Sequence, residues 1–289
     1  MILVTGATGT IGSEIVRQLV DRGAPVRALT RNPEASFPPG VHVAQGDYSA
    51  SAAVRAAMAG VEAAFLVGVL GPDDTNTDAE LVAAARAAGV RRVVKLSAIG
   101  TGDANLAGVG TWHLPGEEAV RTSGLEWTIL RPTAFASNTR SWAEPIRATG
   151  VVPVRTGDGR QGVVDPRDVA AVAVEALVSG EHTGRVYTPT GPELLSEPDQ
   201  AAILGAALGR ELRTTALSDE AARDMLRAAG LSDAFIDGAQ QGAAHVRAGG
   251  NEVLTEDVRR VLGREPRTYA RWAADHLREF GGGSIGART

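Results

Sequence analysis

The sequence contains no cysteine, which excludes disulfide bonds, thiolate catalysis and cysteine-ligated metal sites. Its five histidines are widely spaced, and none forms a pair at the helical spacing of a zinc site, so we expect no metal. Lysine occurs once, at Lys95, and tyrosine occurs three times. These two scarcities limit the proton donors available to any active site.

The chain also has little charge imbalance and no long apolar run. A formal net charge of −5 gives no general electrostatic case for binding nucleic acid or an anionic membrane surface. No apolar segment approaches the roughly 20 residues that span a bilayer, and MILVTGATG carries no basic leader region. We therefore expect a cytoplasmic enzyme or binding protein with a small-molecule partner, and we leave a homodimer open.

Short β-branched runs alternate with Ala- and Leu-rich runs through the first 190 residues. The predicted strands are 2–5, 26–30, 41–45, 63–67, 92–97, 127–130 and 185–188. The predicted helices are 11–22, 50–59, 77–88, 116–123 and 166–179. Strands separated by helices form parallel βαβ units, which predicts an α/β fold with a doubly wound parallel sheet and helices on both faces.

The stretch TGATGTIG, residues 5–12, lies between the first predicted strand and the first predicted helix. Gly6 permits a tight turn, Gly9 lets the backbone approach a pyrophosphate, and Gly12 allows the helix to pack closely on the strand. The N–H groups at the helix start face the phosphates, favoured by the helix dipole. In this strand–turn–helix context the pattern predicts a Rossmann dinucleotide-binding domain.

The end of the second predicted strand bears on which dinucleotide is bound. NAD-binding domains usually carry an acid there for the ribose 2′-hydroxyl, whereas NADP-binding domains offer a cation to the 2′-phosphate. In VRALTRNP the strand is followed by Arg31, and the first acid is Glu34, beyond a proline. The sequence therefore favours NADP(H) over NAD(H).

The composition of the chain changes near residue 190 and becomes mostly helical. We predict that residues 1–132 with 164–190 form the NAD(P)-binding Rossmann domain. Residues 133–163 with 191–280 are predicted to form a smaller, mostly helical substrate-side lobe. The segment 281–289, GGGSIGART, has no apolar pattern and is expected to be a flexible tail.

Motifs along most of the chain resemble the NmrA-like group of atypical short-chain dehydrogenases. This group includes type 2 NADPH:quinone oxidoreductases and redox-sensing regulators. The motifs are TGATGTIG, VRALTRNP, GDY at 46–48, VVKLSAIG at 93–100, SGLEWTILRP at 123–132, VDPRDVA at 164–170 and GREPRTYARWAADH near the end. These motifs are specific for the family, but they do not distinguish among the activities of its members.

The resemblance implies cofactor contacts at the carboxyl ends of the parallel strands, where the ligand crevice of such a sheet opens. The pyrophosphate contacts are Gly6, Thr8, Gly9, Thr10, Ile11 and Gly12. The remaining cofactor contacts are Arg31 at the adenosine phosphate, Asp47 and Tyr48 at the adenine, Val67 and Gly68 on the ribose side, and Ser97. The implied substrate pocket contains Trp112, His113, Phe135 and Asn138.

Reductases of the wider superfamily use a Tyr-x-x-x-Lys pair, in which the lysine lowers the tyrosine pKa for proton transfer. Counting back from SGLEWTILRP places the tyrosine position at Val109 and the lysine position at His113. None of the three tyrosines is followed by a lysine four residues later. The sequence therefore lacks this proton relay under any alignment.

His113 and Ser97 are the candidate catalytic residues that remain. A histidine suits protonation near neutral pH, but Pro115 favours an extended Leu114 and places His113 at a helix entrance. The alternative for Trp112 and His113 is packing or a pocket wall, and the alternative for Ser97 is a local backbone hydrogen bond. The sequence alone does not decide between a catalytic and a structural role for either His113 or Ser97.

Three functions are compatible with this set of residues. The first is an NADPH-dependent reductase of a quinone or related planar aromatic compound, because hydride transfer to a quinone yields a delocalised phenolate that needs no strong acid. Such an enzyme could tailor an aromatic natural product, as the Arg-, Ala- and Gly-rich composition is typical of bacteria in which these pathways are common. The second is a non-catalytic dinucleotide sensor that binds a partner protein, and the third is a cofactor-binding enzyme that couples or rearranges an aromatic substrate.

Overall fold

The computed structural model describes residues 1–49, 51–68, 71–74, 76–106 and 108–282. Of the predicted tail at 281–289, residues 283–289 lie outside the described residues. The contacts divide the chain into two compact units. The first contains residues 1–132, 166–189 and 256–264, and the second contains residues 133–165, 190–255 and the chain from Glu265 onward.

The strands are short, mostly of three to five residues. In chain order they are β1 (Ile2–Val4), β2 (Val26–Thr30), β3 (His42–Gln45), β4 (Ala63–Leu66), β5 (Arg92–Leu96), β6 (Glu126–Leu130), β7 (Val151–Val154), β8 (Gln161–Gly162), β9 (Arg185–Tyr187), β10 (Leu194–Leu195) and β11 (Arg213–Ala216).

The α-helices follow the same alternation. They are α1 (Thr10–Asp21), α2 (Ser51–Met58), α3 (Thr77–Ala87), α4 (Leu114–Thr122), α5 (Ala143–Thr149), α6 (Pro166–Val178), α7 (Glu197–Leu208), α8 (Asp219–Ala228), α9 (Asp233–Arg247), α10 (Asp257–Leu262) and α11 (Tyr269–Asp275). Short 3₁₀ helices cover Pro72–Asp74, Val109–Thr111, Ala136–Trp142, Gly180–His182 and Leu277–Phe280. None of the helices in the described ranges combines the length and apolarity that a bilayer crossing requires.

The first unit is built on a seven-stranded sheet with the order β3-β2-β1-β4-β5-β6-β9. Every neighbouring pair in it is parallel. The chain runs outward from β1 to β3 and then returns to the other side of β1 at β4. Because ligands bind at the carboxyl ends of strands beside such a reversal, this order places a crevice next to the loop after β1.

Helices cover both faces of this sheet, which confirms the predicted doubly wound α/β fold. Helices α1 and α6 pack together on one face. On the other face α2, α3 and α4 share a core with β1, β4 and β5, in which Leu3, Leu66 and Val93 are buried. Burial on both sides explains why β4 is a continuous apolar run and not an alternating one.

The seven sheet strands and the five helices that the sequence predicts all form, and their ends lie within two residues of the predicted ones. The largest shift is at α4, which begins at Leu114 and not at 116. The expectation that Leu114 is extended is wrong: it is helical, and Pro115 occupies the first turn, where its missing N–H costs nothing. His113 is the residue that precedes this helix, as expected.

The second unit contains five α-helices of the described chain and two small two-stranded sheets, β8 with β10 and β7 with β11. Its core includes Trp142, Tyr269, Trp272 and Phe280. Ser196, Ser218 and Ser232 cap α7, α8 and α9 through their side chains.

Helix α10 departs from the expected division of the chain. Residues 256–264 group with the first unit, whereas the sequence placed them in the smaller lobe. The physical reason is that α10 packs on α6, and Arg264 pairs with the buried Asp168 at 2.6 Å.

Candidate functional site

The glycine turn after β1 has the geometry that a pyrophosphate site requires. Gly6 has φ +57°, a left-handed conformation that a residue with a side chain rarely adopts. A Cβ at Gly12 would lie 2.7 Å from the carbonyl carbon of Gly6, so only glycine lets α1 pack this closely. Helix α1 has no acidic residue in its first turn and no side-chain cap among the described residues. Its positive end is therefore available for an anion.

The residues predicted to hold the adenosine lie on the loops after β2 and β3. The Arg31 side chain is 77% exposed, and its Nε lies 3.7 Å from Asp47 Oδ2, a loose ion pair. Hydrogen bonds from Ser49, and to a smaller extent the charge of Arg31, lower the pKa of Asp47. The hydroxyl of Tyr48 accepts a 2.7 Å hydrogen bond from the Gly6 N–H, and burial raises the pKa of Tyr48.

Tyr48 therefore connects the loop after β3 directly to the glycine turn. It also lines a cavity of about 470 Å³ with Val54, Thr77, Leu81 and Ala84, between α2 and α3. The position is compatible with the predicted adenine role of Asp47 and Tyr48, which stays a prediction.

The loop after β4 is fixed by two hydrogen bonds. Thr5 Oγ1 accepts a 2.8 Å hydrogen bond from the Val67 N–H, which holds this loop against the glycine turn. Asp78 Oδ1 accepts a 2.7 Å hydrogen bond from the Gly68 N–H. Val67 and Gly68 thus lie beside the turn, where the sequence places the ribose side of the cofactor, and Asp78 on α3 sets their position.

Lys95 forms a buried ion pair with Asp78 beneath α3 and α4. Its Nζ lies 2.5 Å from Asp78 Oδ2, and both side chains are 0% exposed. Nζ also donates to the Leu96 carbonyl at 3.0 Å and lies 3.3 Å from His113 Nδ1. Burial would raise the pKa of Asp78, but contacts with His113 and Lys95 outweigh it and hold that pKa below its ordinary value.

Ser97 is bound into a second buried network at the end of β5. Its hydroxyl donates to Glu117 Oε1 at 2.6 Å and lies 3.2 Å from Thr101 Oγ1. Arg131 holds the same carboxylate with two hydrogen bonds of 2.8 and 2.6 Å. Burial opposes ionisation of Glu117, but Arg131 and Ser97 lower its pKa. Because Ser97 is buried and engaged with Glu117, this geometry favours a structural role over the predicted catalytic one.

A cavity of about 200 Å³ opens at the carboxyl end of β5, and we call it the His113 cavity. It is lined by Ala98, Ile99, Leu106, Val109, Gly110, Trp112 and His113. Two of the four predicted pocket residues, Trp112 and His113, therefore form part of one wall. Among the described residues that line it, His113 has the only ionisable side chain.

The other two predicted pocket residues, Phe135 and Asn138, belong to the second unit. Phe135 forms an isolated parallel bridge with Val164, and its carbonyl accepts a hydrogen bond from the Asn138 N–H at 3.0 Å. Their contribution to a substrate pocket stays a prediction. Within the described part of the chain, no group of three His, Asp or Glu side chains is placed to hold a metal ion.

Sequence reasoning missed Asp78, Lys95 and Glu117 as members of the site. Lys95 carried a usable signal, since a single lysine inside a strand that must be buried needs a charged partner. Asp78 carried none, because an acidic residue in the first turn of a helix is common for electrostatic reasons alone. Arg131, which ends the SGLEWTILRP motif with Pro132, pairs with Glu117 at 2.6 Å.

Comparisons with known proteins connect this geometry to a family. A family model described as NAD(P)H-binding matches residues 6–179. A (4-alkanoyl-5-oxo-2,5-dihydrofuran-3-yl)methyl phosphate reductase from Streptomyces griseus is 44% identical, over 97% of this chain and 99% of that one. An NAD(P)H azoreductase from Xenophilus azovorans is 36% identical, with coverage of 97% and 99%.

A solved structure shows the same fold with a nucleotide bound. The NADPH-dependent quinone oxidoreductase from Escherichia coli, crystallised with NADPH, superposes with a TM-score of 0.82 at 27% sequence identity. The match covers 95% of this chain and 99% of that one. The chain therefore belongs to the NAD(P)H-binding family, and its relatives confirm the resemblance to the NmrA-like group of atypical short-chain dehydrogenases.

Proposed function

We propose that this protein is an NADPH-dependent reductase that transfers hydride to a conjugated, electron-poor acceptor such as a quinone or related planar aromatic compound. The observation that carries the proposal is the His113 cavity, whose lining side chains are mainly apolar and include one ionisable group. Such a cavity suits a flat acceptor whose reduced form delocalises its negative charge. It does not suit a simple ketone, whose alkoxide needs a strong proton donor.

The names of the relatives support the same class of acceptor. The Streptomyces griseus relative is a reductase of a dihydrofuranone whose ring double bond is conjugated with carbonyl groups. The Xenophilus azovorans relative is an azoreductase, and the Escherichia coli protein is a quinone oxidoreductase. Quinones, azo compounds and unsaturated lactones share a low-lying π system that accepts hydride without prior protonation. The proposal for this chain rests on that shared chemistry.

The residues present fit a dinucleotide, which supplies the hydride when it is bound. The glycine turn offers the backbone N–H groups of Thr10, Ile11 and Gly12 at the uncapped start of α1. Arg31, largely exposed, offers its guanidinium to a 2′-phosphate, and we propose NADPH over NADH for this reason. Tyr48 and Val67 close the two sides of the turn.

The chain's own part in the reaction is then mostly orientation. Trp112 and the aliphatic side chains of the His113 cavity exclude water and hold the acceptor flat. His113 provides a hydrogen bond to the oxygen or nitrogen on which negative charge develops. We further propose that the reaction takes place in the cytoplasm and modifies an aromatic natural product, with neither nucleic acid nor membrane as a partner.

A turnover assay tests this function. Purified protein is mixed with NADPH and a panel containing a quinone, an azo dye and an unsaturated lactone, and the absorbance of the reduced cofactor is followed. We expect oxidation of NADPH with at least one acceptor and slower oxidation with NADH. Tight NADPH binding without turnover of any acceptor would reject the reductase and favour a dinucleotide sensor.

A further inference from the structure

The ammonium group of Lys95 has three polar atoms within hydrogen-bond distance in a fully buried position. They are Asp78 Oδ2 at 2.5 Å, the Leu96 carbonyl at 3.0 Å and His113 Nδ1 at 3.3 Å. An ammonium group has three N–H donors and no acceptor. One proton is therefore available for each of the three contacts, and a buried donor left without an acceptor would be costly.

This count decides which nitrogen of His113 carries the proton. Since Lys95 can only donate, Nδ1 has to be the bare, accepting nitrogen of a neutral imidazole. Asp78 Oδ2 lies 3.9 Å from Nδ1, so Lys95 Nζ, at 3.3 Å, is the nearer partner of this nitrogen. The proton of the neutral ring then resides on Nε2, on the side of the ring away from Lys95.

The position of Lys95 is set by elements on both sides of it. Asp78 is anchored through its other oxygen, Oδ1, which accepts the Gly68 N–H. Above the pair, α4 carries Gly116, where a Cβ would lie 2.6 Å from Lys95 Cε. The absence of a side chain at that one helical position leaves room for the lysine to reach His113 beneath α4.

From these contacts we infer that Lys95 is a positioning residue, backed by Asp78, that fixes His113 as the Nε2–H tautomer. His113 thereby presents an N–H donor to the His113 cavity, where it hydrogen-bonds a carbonyl oxygen or azo nitrogen of the acceptor. The inference on the role of this donor rests on the proposed reductase function. The tautomer itself depends only on the contacts of Lys95.

Nitrogen-15 NMR of the imidazole side chains reads the tautomer directly. The resonances of His113 are assigned by comparison with a His113→Gln variant, in the full-length protein near neutral pH. We expect a protonated Nε2 and a bare Nδ1 in the wild type. A wild-type ring with its proton on Nδ1, or a doubly protonated ring, would overturn the inference.

A double variant separates the positioning role from folding. Lys95→Met alone leaves Asp78 buried without its cation, so Asp78→Asn is combined with it, since the amide oxygen can still accept the Gly68 N–H. With Nδ1 released, we expect a mixture of the two tautomers in the spectrum. The matched control is Arg264→Met with Asp168→Asn, which removes another ion pair with a buried aspartate and should leave the His113 spectrum unchanged.

Kinetics of the same variants test the consequence for catalysis. We expect the kcat of the double variant for its best acceptor to fall roughly tenfold or more, against about 10²–10³-fold when a donor to developing charge is deleted outright. The KM for NADPH of the double variant should match that of Asp78→Asn alone, because Asp78 also positions Gly68 and Lys95 does not. An unchanged Nε2–H spectrum together with an unchanged kcat would refute the positioning role.

Failure of the proposed function gives a different result. If no acceptor is reduced but the tautomer is Nε2–H in the wild type and mixed in the double variant, the reductase is rejected and the assignment of Lys95 is supported. If acceptors are reduced while the double variant keeps the wild-type spectrum, the reductase stands and the inference fails.

Discussion

Replacing Gly12 with alanine tests whether the glycine turn is built for close approach of α1 to β1. In an ordinary helical position this change would stabilise the protein by about 0.5–1 kcal/mol, because alanine is the better helix former. At Gly12 the new Cβ would lie 2.7 Å from the Gly6 carbonyl carbon and 3.0 Å from Ala7 Cα. Carbon atoms prefer separations of about 3.5–4.0 Å, so the backbone of the turn has to move by an appreciable fraction of an ångström.

The clash outweighs the gain in helix propensity. Overpacking costs about 1–3 kcal/mol, so we expect Gly12→Ala to lower the free energy of unfolding by about 1–2 kcal/mol. Displacing the turn also disturbs its N–H contacts to phosphate. Loss of one charge-assisted hydrogen bond, worth about 1.5–3 kcal/mol, corresponds to roughly 10- to 150-fold weaker NADPH binding.

Gly242→Ala in α9 is the matched control. A Cβ at this helical glycine would meet nothing within 4 Å, so the change should raise stability by about 0.5–1 kcal/mol and leave NADPH binding as it was. Urea denaturation measures the stability, and titration of cofactor fluorescence measures the binding. If Gly12→Ala behaves like Gly242→Ala in both assays, the proposed role of the turn is wrong.

Three further predictions concern charged side chains. Arg31→Ala should weaken NADP(H) binding by roughly 10- to 150-fold and NAD(H) binding much less. The control, Arg227→Ala at another exposed arginine, should change the binding of neither cofactor. Equal weakening of both cofactors would contradict the assignment of Arg31 to the 2′-phosphate. Lys95→Met should cost about 3–5 kcal/mol of stability by urea denaturation, with a smaller loss when Asp78→Asn is added, and a harmless single variant would contradict the buried pair. Glu117→Gln should lower the free energy of unfolding at neutral pH. The pKa of Glu117 in the folded protein is lowered from 4.5, so the ionised carboxylate stabilises the fold fully above pH 4.5. This contribution disappears as the pH falls through the folded-state pKa. The stability gap between wild type and Glu117→Gln should therefore close in acid, and a gap that stays constant would assign the loss to packing.

The sheet was predictable from the sequence because its information is local. Most strands of the first unit contain β-branched residues, and the helices that follow them end near a glycine. The order and type of the elements could therefore be deduced without knowing any contact. The exchange of 256–264 between units was not predictable, since it depends on the packing of α10 on α6 and on the pair of Arg264 with Asp168, which are 96 residues apart.

In the candidate site, too, the locally encoded features were predictable and the long-range contacts were not. The glycine turn and Arg31 are encoded by spacing and by position after a strand, so the sequence places them correctly in the fold. The network of Asp78, Lys95 and His113 joins three different elements, and no residue pattern states that their side chains converge. Only the isolated lysine hints at it, because a single cation inside a buried strand requires a partner that the sequence does not identify.

Hydride transfer from the nicotinamide to the acceptor is the central claim, and isotope transfer tests it most directly. NADPH carrying deuterium at C4 of the nicotinamide is incubated with the protein and an unsaturated lactone, and the product is analysed by mass spectrometry. An unsaturated lactone is the suitable acceptor because deuterium delivered to its ring carbon is retained. The account predicts deuterium in the reduced lactone, from one face of the nicotinamide only. A reduced lactone that contains no deuterium with either the 4R- or the 4S-labelled cofactor, or no reduced lactone despite bound NADPH, would contradict it.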